Sequence, residues 1–168
     1  NLVLIHSITL PIGINHIVKD ISKVCSLSMD ESTIIRDNID FSFQNNQNLF
    51  DAKGYLKNSY FINSSFRKIS KNLISNVIKA RLDEIFETLK KQIIIPGFNL
   101  NSGICFLLTG GGANLFNIEK YCINFFGPNV KKTKENNNEK ENDLEKNFSS
   151  CLGALRIIKD GWETEAIP

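Results

Sequence analysis

The stretch of sequence that decides the fold is GICFLLTGGGANL, residues 103–115. The run from Gly103 to Leu108 is apolar throughout, a pattern typical of a strand buried on both faces in a parallel or mixed α/β sheet. Glycines at 110–112 end the strand, and residues 115–125 predict the next helix. Because α/β folds place ligands at the carboxyl ends of such strands, the loop between strand and helix is the first candidate site.

We call Thr109-Gly110-Gly111-Gly112-Ala113 the glycine loop. Glycine loses more backbone entropy on folding than any other residue, so three in a row are costly to order. Their N–H groups and the start of the following helix favour an anion or a flat ring lying against the backbone. The loop lacks the ending of a Walker loop and the spacing of the Rossmann fingerprint. A tight turn without a ligand is the alternative interpretation.

Hydrophobic periodicity predicts further helices on the amino-terminal side of this loop. Residues 14–25 carry apolar side chains at helical spacing, and residues 65–95 form the longest amphipathic pattern. Ser28, with Glu31 three residues later, predicts a capping box at the start of a short helix. The polar segment 37–64, with its alternating aromatic residues, predicts short strands and turns.

The remaining segments predict strands, a loop and one more helix. Residues 2–10 are β-branched and apolar, which predicts one or two short strands ended by the turn at 11–13. Residues 129–146 are a low-complexity run of Lys, Asn and Glu, which predicts a mobile loop. Residues 149–155 predict a last, tightly packed helix with small residues on one face.

Composition excludes several classes of protein. The chain is 42% hydrophobic and 23% charged, as in ordinary globular proteins. Its net charge of +2, with lysines interleaved among glutamates, does not predict a nucleic-acid partner. No apolar run approaches the ~20 residues of a membrane span. The chain begins at Asn1 without a methionine and stops at Pro168, so we expect a fragment of a longer protein.

The cysteines and histidines predict neither a metal site nor a catalytic group. Cys25, Cys105, Cys122 and Cys151 form no CxxC pair and have no histidine at metal-ligand spacing. Their apolar surroundings predict reduced core residues in a cytosolic protein. No Ser or Cys nucleophile has a matched His and acid, so we predict no catalytic residue.

Several segments resemble a known family. Residues 107–115 resemble the adenosine motif of the superfamily of actin, sugar kinases and heat-shock chaperones. Four more segments narrow the resemblance to the FtsA family of bacterial cell-division proteins, in the same order as in that family. They are the strand-turn-helix at 6–21, the acidic helix start at 29–32, the Arg-containing part of the long helix at 80–85 and the small-residue stretch at 148–153.

The resemblance implies a mixed α/β fold, the second lobe of an actin-like, ribonuclease H-like ATPase with an inserted small α+β cap subdomain. The base subdomain would comprise residues 1–26 and 86–168, and the cap residues 27–85. ATP would lie between two lobes, with adenine against the glycine loop and Glu31 lining the pocket. Mg²⁺ ligands and phosphate-binding hairpins would come from a first half that this sequence lacks, so we do not expect this fragment alone to hydrolyse ATP.

The resemblance also implies partners. The acidic carboxyl-terminal tail of FtsZ would bind the cap, where Arg81 matches the family signature and Lys79 and Lys71 are further candidates. An arginine fork suits a carboxylate. The family forms actin-like polymers on the inner face of the cytoplasmic membrane, which it contacts through a carboxyl-terminal helix that this sequence lacks. For these three cations, solvated charges on an amphipathic helix are the alternative.

Two other functions remain open at this stage. The same adenosine motif occurs in sugar and acetate kinases, and related scaffolds serve pilus assembly or cell-shape maintenance. The turn at 11–13 and the signature at 80–85 favour the cell-division scaffold, because a kinase lobe is not expected to carry them in this order.

Overall fold

The computed structural model describes residues 7–44, 46–93, 105–132, 148 and 151–159. It contains both helices and strands, and it divides into two compact units, Asn1–Ser102 and Gly103–Pro168. We call them unit 1 and unit 2. The predicted base and cap boundaries follow a different division, and they stay a prediction.

Unit 1 is built around three helices, α1 (Ile14–Cys25), α2 (Met29–Asn38) and α3 (Lys71–Gln92). Helix α1 packs against both others. The predicted apolar stripe of α1 faces this contact, and its central residues Ile17 and Ile21 are fully buried. The rest of the core comes from the other helices and their connection: Ile35, Ile39, Phe41, Leu49, Leu56, Ile74, Ile78 and Leu82.

Helix α3 begins six residues later than its periodicity predicts. Tyr55 and Ser70 form an antiparallel bridge, and the Leu56 N–H donates to the Ile69 carbonyl at 2.9 Å. These contacts hold the backbone before α3 in an extended conformation, so the helix cannot start there. Ser70 then caps α3, because its Oγ accepts the N–H of Leu73 at 3.2 Å.

The connection between α2 and α3 contains turns where short strands were predicted. Besides the bridge between Tyr55 and Ser70, one antiparallel bridge joins Phe50 to Leu56, and a 3₁₀ turn covers Asn58–Tyr60. The aromatic side chains of this segment pack within the loop to different depths. Phe41 and Phe50 are buried, whereas Phe43 and Phe61 are half-buried.

Unit 2 contains the predicted strand, loop and helix. Strand β1 (Phe106–Leu108) pairs in parallel with β2 (Val130–Lys132), with Phe106 opposite Val130. Helix α4 (Ile118–Phe126) lies in the crossover between them, as parallel pairing requires. The core of this unit combines the loop, the helix and the second strand: Ala113, Leu115, Ile118, Cys122 and Val130.

Three predictions for unit 2 need correction. Leu107 is 60% exposed, so β1 is not buried on both faces; one neighbouring strand and α4 leave this side chain uncovered among the described residues. Strand β2 occupies the start of the predicted mobile loop, because Val130 supplies a buried apolar side chain there. The rest of that loop, 133–146, lies outside the described residues, as do 2–6. Residues 151–159 are helical, close to the predicted last helix, but most of their side chains are exposed, so the predicted tight packing is absent among the described residues.

The cysteines divide into two classes. Cys25 and Cys122 are buried, as predicted, and burial raises the pKa of both thiols, that of Cys122 to about 11. Cys105 and Cys151 are exposed, so their assignment to the core was wrong. Apolar neighbours in the sequence did not predict burial, because no described residue covers the side of the chain on which either thiol lies. All four are free.

Among the residues that the structure describes, no helix is long and apolar enough to cross a membrane. The His, Cys, Asp and Glu side chains of the same residues form no group of three or more that could hold a metal ion.

Candidate functional site

The glycine loop bends the chain directly after β1. Gly110 has φ +81° and ψ −175°, a conformation that side chains disfavour, so this position needs glycine. Residues Gly111–Asn114 form a 3₁₀ turn, in which the Ala113 N–H donates to the Gly110 carbonyl at 3.0 Å. Helix α4 starts only after Asn117. The helix predicted at 115–125 therefore begins three residues later, at Ile118.

One side of the glycine loop exposes backbone to solvent, and the other side packs into the core of unit 2. Ala113 is buried and fixes the loop to unit 2, while Thr109 and Gly111 are exposed. A Cβ atom built on Gly111 would meet no heavy atom within 4 Å, and the backbone there does not have the positive φ of Gly110. A tight turn thus explains glycine at 110, but neither strain nor packing explains it at 111.

Glu31, the predicted adenine contact on α2, is fully buried in unit 1. Its Oε2 accepts the N–H of Ser28 at 2.7 Å, which completes the predicted capping box, and the hydroxyl of Ser64 at 2.5 Å. Its Oε1 accepts three consecutive N–H groups, those of Ile62, Asn63 and Ser64, at 2.6 to 2.9 Å. Five protein donors thus surround this carboxylate, so a ligand would have to displace one of them. The adenine contact stays a prediction.

The same hydrogen bonds set the charge state of Glu31. Burial alone would raise the pKa of its carboxyl, but the Ser64 hydroxyl and the backbone N–H groups of Ser28, Ser64 and Asn63 outweigh burial. The net result is a pKa well below the ordinary range. The carboxylate therefore stays ionised and acts as an anchor for the loop 62–64, which it joins to the start of α2.

Acid should release this anchor. Because the folded-state pKa of Glu31 lies below its ordinary value of 4.5, its contribution to stability is complete above about that pH and is lost as the pH falls toward the folded-state pKa. Glu31→Gln cannot titrate. We expect wild-type unfolding free energy to fall more steeply than that of the variant below pH 4.5, measured by urea unfolding across pH. Parallel curves would contradict this assignment.

Arg81, the first predicted partner residue, lies on α3 and contacts α1. Its Nε donates to Asp20 Oδ2 at 2.5 Å and its Nη2 to Asp20 Oδ1 at 3.0 Å. Its Nη1 reaches Glu84 at 2.5 Å. The hydrogen bonds to Asp20 raise the pKa of the guanidinium, although burial opposes them. The Asp20 side chain is only 24% exposed, because α3 packs against α1 there.

Lys79 and Lys71 do not share the surface of Arg81. Lys79 and Arg81 are two positions apart, so they lie on different faces of α3. The Lys79 ammonium is 4.7 Å from the centroid of the Phe43 ring, a cation–π contact. Lys71 lies in the first turn, and its backbone N–H donates to the Gly54 carbonyl at 2.8 Å. The structure does not bring the three predicted cations together.

The bidentate pair predicts a measurable coupling between α1 and α3. Asp20→Ala and Arg81→Ala should each lower the unfolding free energy by about 1–2 kcal/mol, since the pair is charge-assisted but partly solvated. The double variant, Asp20→Ala with Arg81→Ala, completes a double-mutant cycle and should lose less than the sum of the two single losses. Strictly additive effects would mean that the pair contributes nothing.

Sequence patterns could not reveal two of these contacts. The capping box predicts the hydrogen bond between Ser28 and Glu31, because those residues are close in sequence. It does not predict the hydrogen bond from Ser64, which is 33 residues away. Asp20 and Arg81 are 61 residues apart, and only the crossing of α1 and α3 joins them. No protein-family model matches this chain, and no curated protein matches it.

Proposed function

We propose that this chain is the second, nucleotide-binding lobe of an FtsA-like, actin-like ATPase that acts as a cell-division scaffold. In this proposal ATP and Mg²⁺ bind between this lobe and a first lobe, the protein forms actin-like polymers, and FtsZ filaments are tethered to the inner face of the cytoplasmic membrane through it. A carboxyl-terminal amphipathic helix beyond this sequence would make the membrane contact.

The observation that carries the proposal is the open backbone at Gly111. Strain explains Gly110, whereas Gly111 is exposed and has free space above it, which leaves room for a flat ring to approach the backbone closely. Gly13 has similar free space, so the place of Gly111 in the loop after β1 is what distinguishes it. Adenine is flat and aromatic, and its face can lie against such a surface. The loop also lies at the carboxyl end of β1, the edge where ligands bind in α/β proteins.

The charges around the loop support a platform with no catalytic role of its own. Between residues 103 and 132 the only carboxylate is Glu119. Mg²⁺ prefers several oxygen ligands and is usually held through carboxylates and substrate phosphates. In this proposal the first lobe supplies those ligands, and this lobe supplies the adenine surface. The protein would therefore be a weak ATPase at most.

The proposal includes binding of the FtsZ tail, but Lys71 replaces Arg81 as the first candidate contact. Arg81 already donates to Asp20 and Glu84, so binding a tail carboxylate there would mean exchanging those partners. Lys71 makes neither an ion pair nor a ring contact among the described residues. Lys71 is thus the more accessible of the predicted cations for an acidic tail.

The experiment uses the longer protein that the proposal requires, with a fluorescent ATP analogue and a labelled FtsZ tail peptide titrated separately. We expect saturable binding of both, nucleotide binding to depend on Mg²⁺, and a scrambled tail peptide to bind more weakly. Nucleotide binding without tail binding would favour another member of the actin-like superfamily. Absence of nucleotide binding would contradict the proposal.

A further inference from the structure

One segment of unit 1 is far more basic than the chain as a whole. Residues 52–82 contain five lysines and two arginines and no aspartate or glutamate, although the net charge of the chain is only +2. Two of these cations have partners already described: Arg81 pairs with Asp20, and Lys79 contacts Phe43. The others are Lys53, Lys57, Arg67, Lys68 and Lys71.

The fold places two of these remaining cations at facing positions, although the Lys57 ammonium itself donates to the Gln47 carbonyl at 2.8 Å. The bridge between Tyr55 and Ser70, with the hydrogen bond from Leu56 to Ile69, sets Lys57 opposite Lys68 by register. Like charges directly opposite each other destabilise an antiparallel pair. None of the five forms an ion pair with another described residue. The cluster therefore carries uncompensated positive charge that an anionic partner would neutralise.

Two large apolar side chains stand beside this charge. Ile62 is 62% exposed and Phe66 is 58% exposed. Single exposed apolar residues are ordinary, but Ile62 belongs to the segment 62–64, whose backbone N–H groups donate to the Glu31 carboxylate, and Phe66 follows two residues after it. The Phe66 ring also contacts Phe61 edge-on, with centroids 5.2 Å apart. The loop is thus preorganised with its apolar side chains outward.

We propose that residues 61–68, which we call the apolar-basic loop, bind the surface of an anionic lipid bilayer. Ile62 and Phe66 would enter the boundary between headgroups and acyl chains, and Arg67 and Lys68 would lie among the anionic headgroups. Fixing the loop in advance reduces the ordering entropy lost on binding. This inference does not depend on the nucleotide or on the FtsZ tail.

A membrane suits these features better than an acidic peptide does. A peptide site gains its specificity from converging donors and from pockets that enclose anchor side chains. Here the apolar side chains point outward, each with more than half of its surface exposed, and the cations follow them along the chain. A fluid bilayer needs only apolar side chains beside positive charge, and it requires no matching shape.

The test is sedimentation of the chain with vesicles of phosphatidylcholine containing about 30% phosphatidylglycerol, compared with pure phosphatidylcholine. We expect binding to the anionic vesicles that weakens with salt. Arg67→Glu with Lys68→Glu should reduce partitioning by about 25-fold or more, since each basic side chain contributes about five-fold. Ile62→Ser with Phe66→Ser should reduce it by about ten-fold.

Matched controls replace residues of the same type elsewhere in unit 1. Val24→Ser changes a side chain on α1 that is 52% exposed, and Lys90→Glu changes an exposed cation in the last turn of α3. Both should leave partitioning within about two-fold of wild type, because neither lies in the loop. Circular dichroism confirms that each variant is folded.

Three results would overturn the inference. The first is equal binding to neutral and anionic vesicles, and the second is no binding to either. The third is loss of binding in the control variants to the same extent as in the loop variants. An acidic peptide or single-stranded DNA that binds through Arg67 and Lys68, while vesicles do not, would assign the surface to that class of partner instead.

Discussion

Glu31→Ala is expected to lower the unfolding free energy of unit 1 by about 3–5 kcal/mol, because it removes a buried charge and leaves its donors unpaired. The carboxylate accepts five hydrogen bonds, from Ser28 and from residues 62–64. Alanine cannot replace any of them. Urea unfolding followed by circular dichroism at the helix signal reports the loss, since unit 1 contains α1, α2 and α3.

The size of the loss in unfolding free energy depends on how well water can hydrate the N–H groups of residues 62–64 once the carboxylate is removed. Ile62 and Asn63 are exposed, so their N–H groups can become hydrated, whereas Ser28 lies half-buried at the start of α2. Glu31→Gln keeps the shape but exchanges a charged acceptor for a neutral amide, and it should cost less than alanine. The control is Asp30→Ala, in the same helical turn and exposed. A loss no greater than that of this control would show that the network is not an anchor.

Gly111→Val is expected to weaken nucleotide binding by about ten- to hundred-fold in the longer protein, because a branched side chain would occupy the surface assigned to adenine. The change should not disturb the fold. A Cβ at this position meets no heavy atom within 4 Å, and the backbone does not have a left-handed φ. Titration with a fluorescent ATP analogue measures the affinity, and circular dichroism monitors the fold.

The matched control for that variant is Gly13→Val. This glycine also has free space around it, with an extended φ of −165° that any residue adopts. Gly110→Val is not a useful control, because its positive φ would add strain whether or not a ligand binds. Equal affinity of Gly111→Val and wild type would return the glycine loop to the interpretation of a simple turn.

Local patterns predicted much of the fold. The spacing of apolar residues predicted α1 to within a residue, because one face of that helix is buried along its length. The capping box at Ser28 is formed as predicted, since its two partners are three residues apart. The apolar run before the glycines predicted a strand in a parallel pair, and β1 pairs in parallel with β2.

Non-local contacts account for what the patterns missed. The start of α3 is set by the pairing of Tyr55 with Ser70, which no periodicity within α3 encodes. The adenine contact of Glu31, which the resemblance implies, stays a prediction, but no local pattern predicted that Oε1 binds a loop more than thirty residues away. Nor does the sequence show that Asp20 on α1 lies across from Arg81. In each case tertiary packing decided the partner.

The most direct test of the central claim is to map where ATP touches the protein. The longer protein is photolabelled with an adenine-ring azido derivative of ATP, with and without excess ATP, and the labelled peptide is identified by mass spectrometry. We expect ATP-protected label within residues 109–115, on the glycine loop and the turn that follows. Protected label that is confined to other peptides, or label that ATP does not reduce, would contradict it.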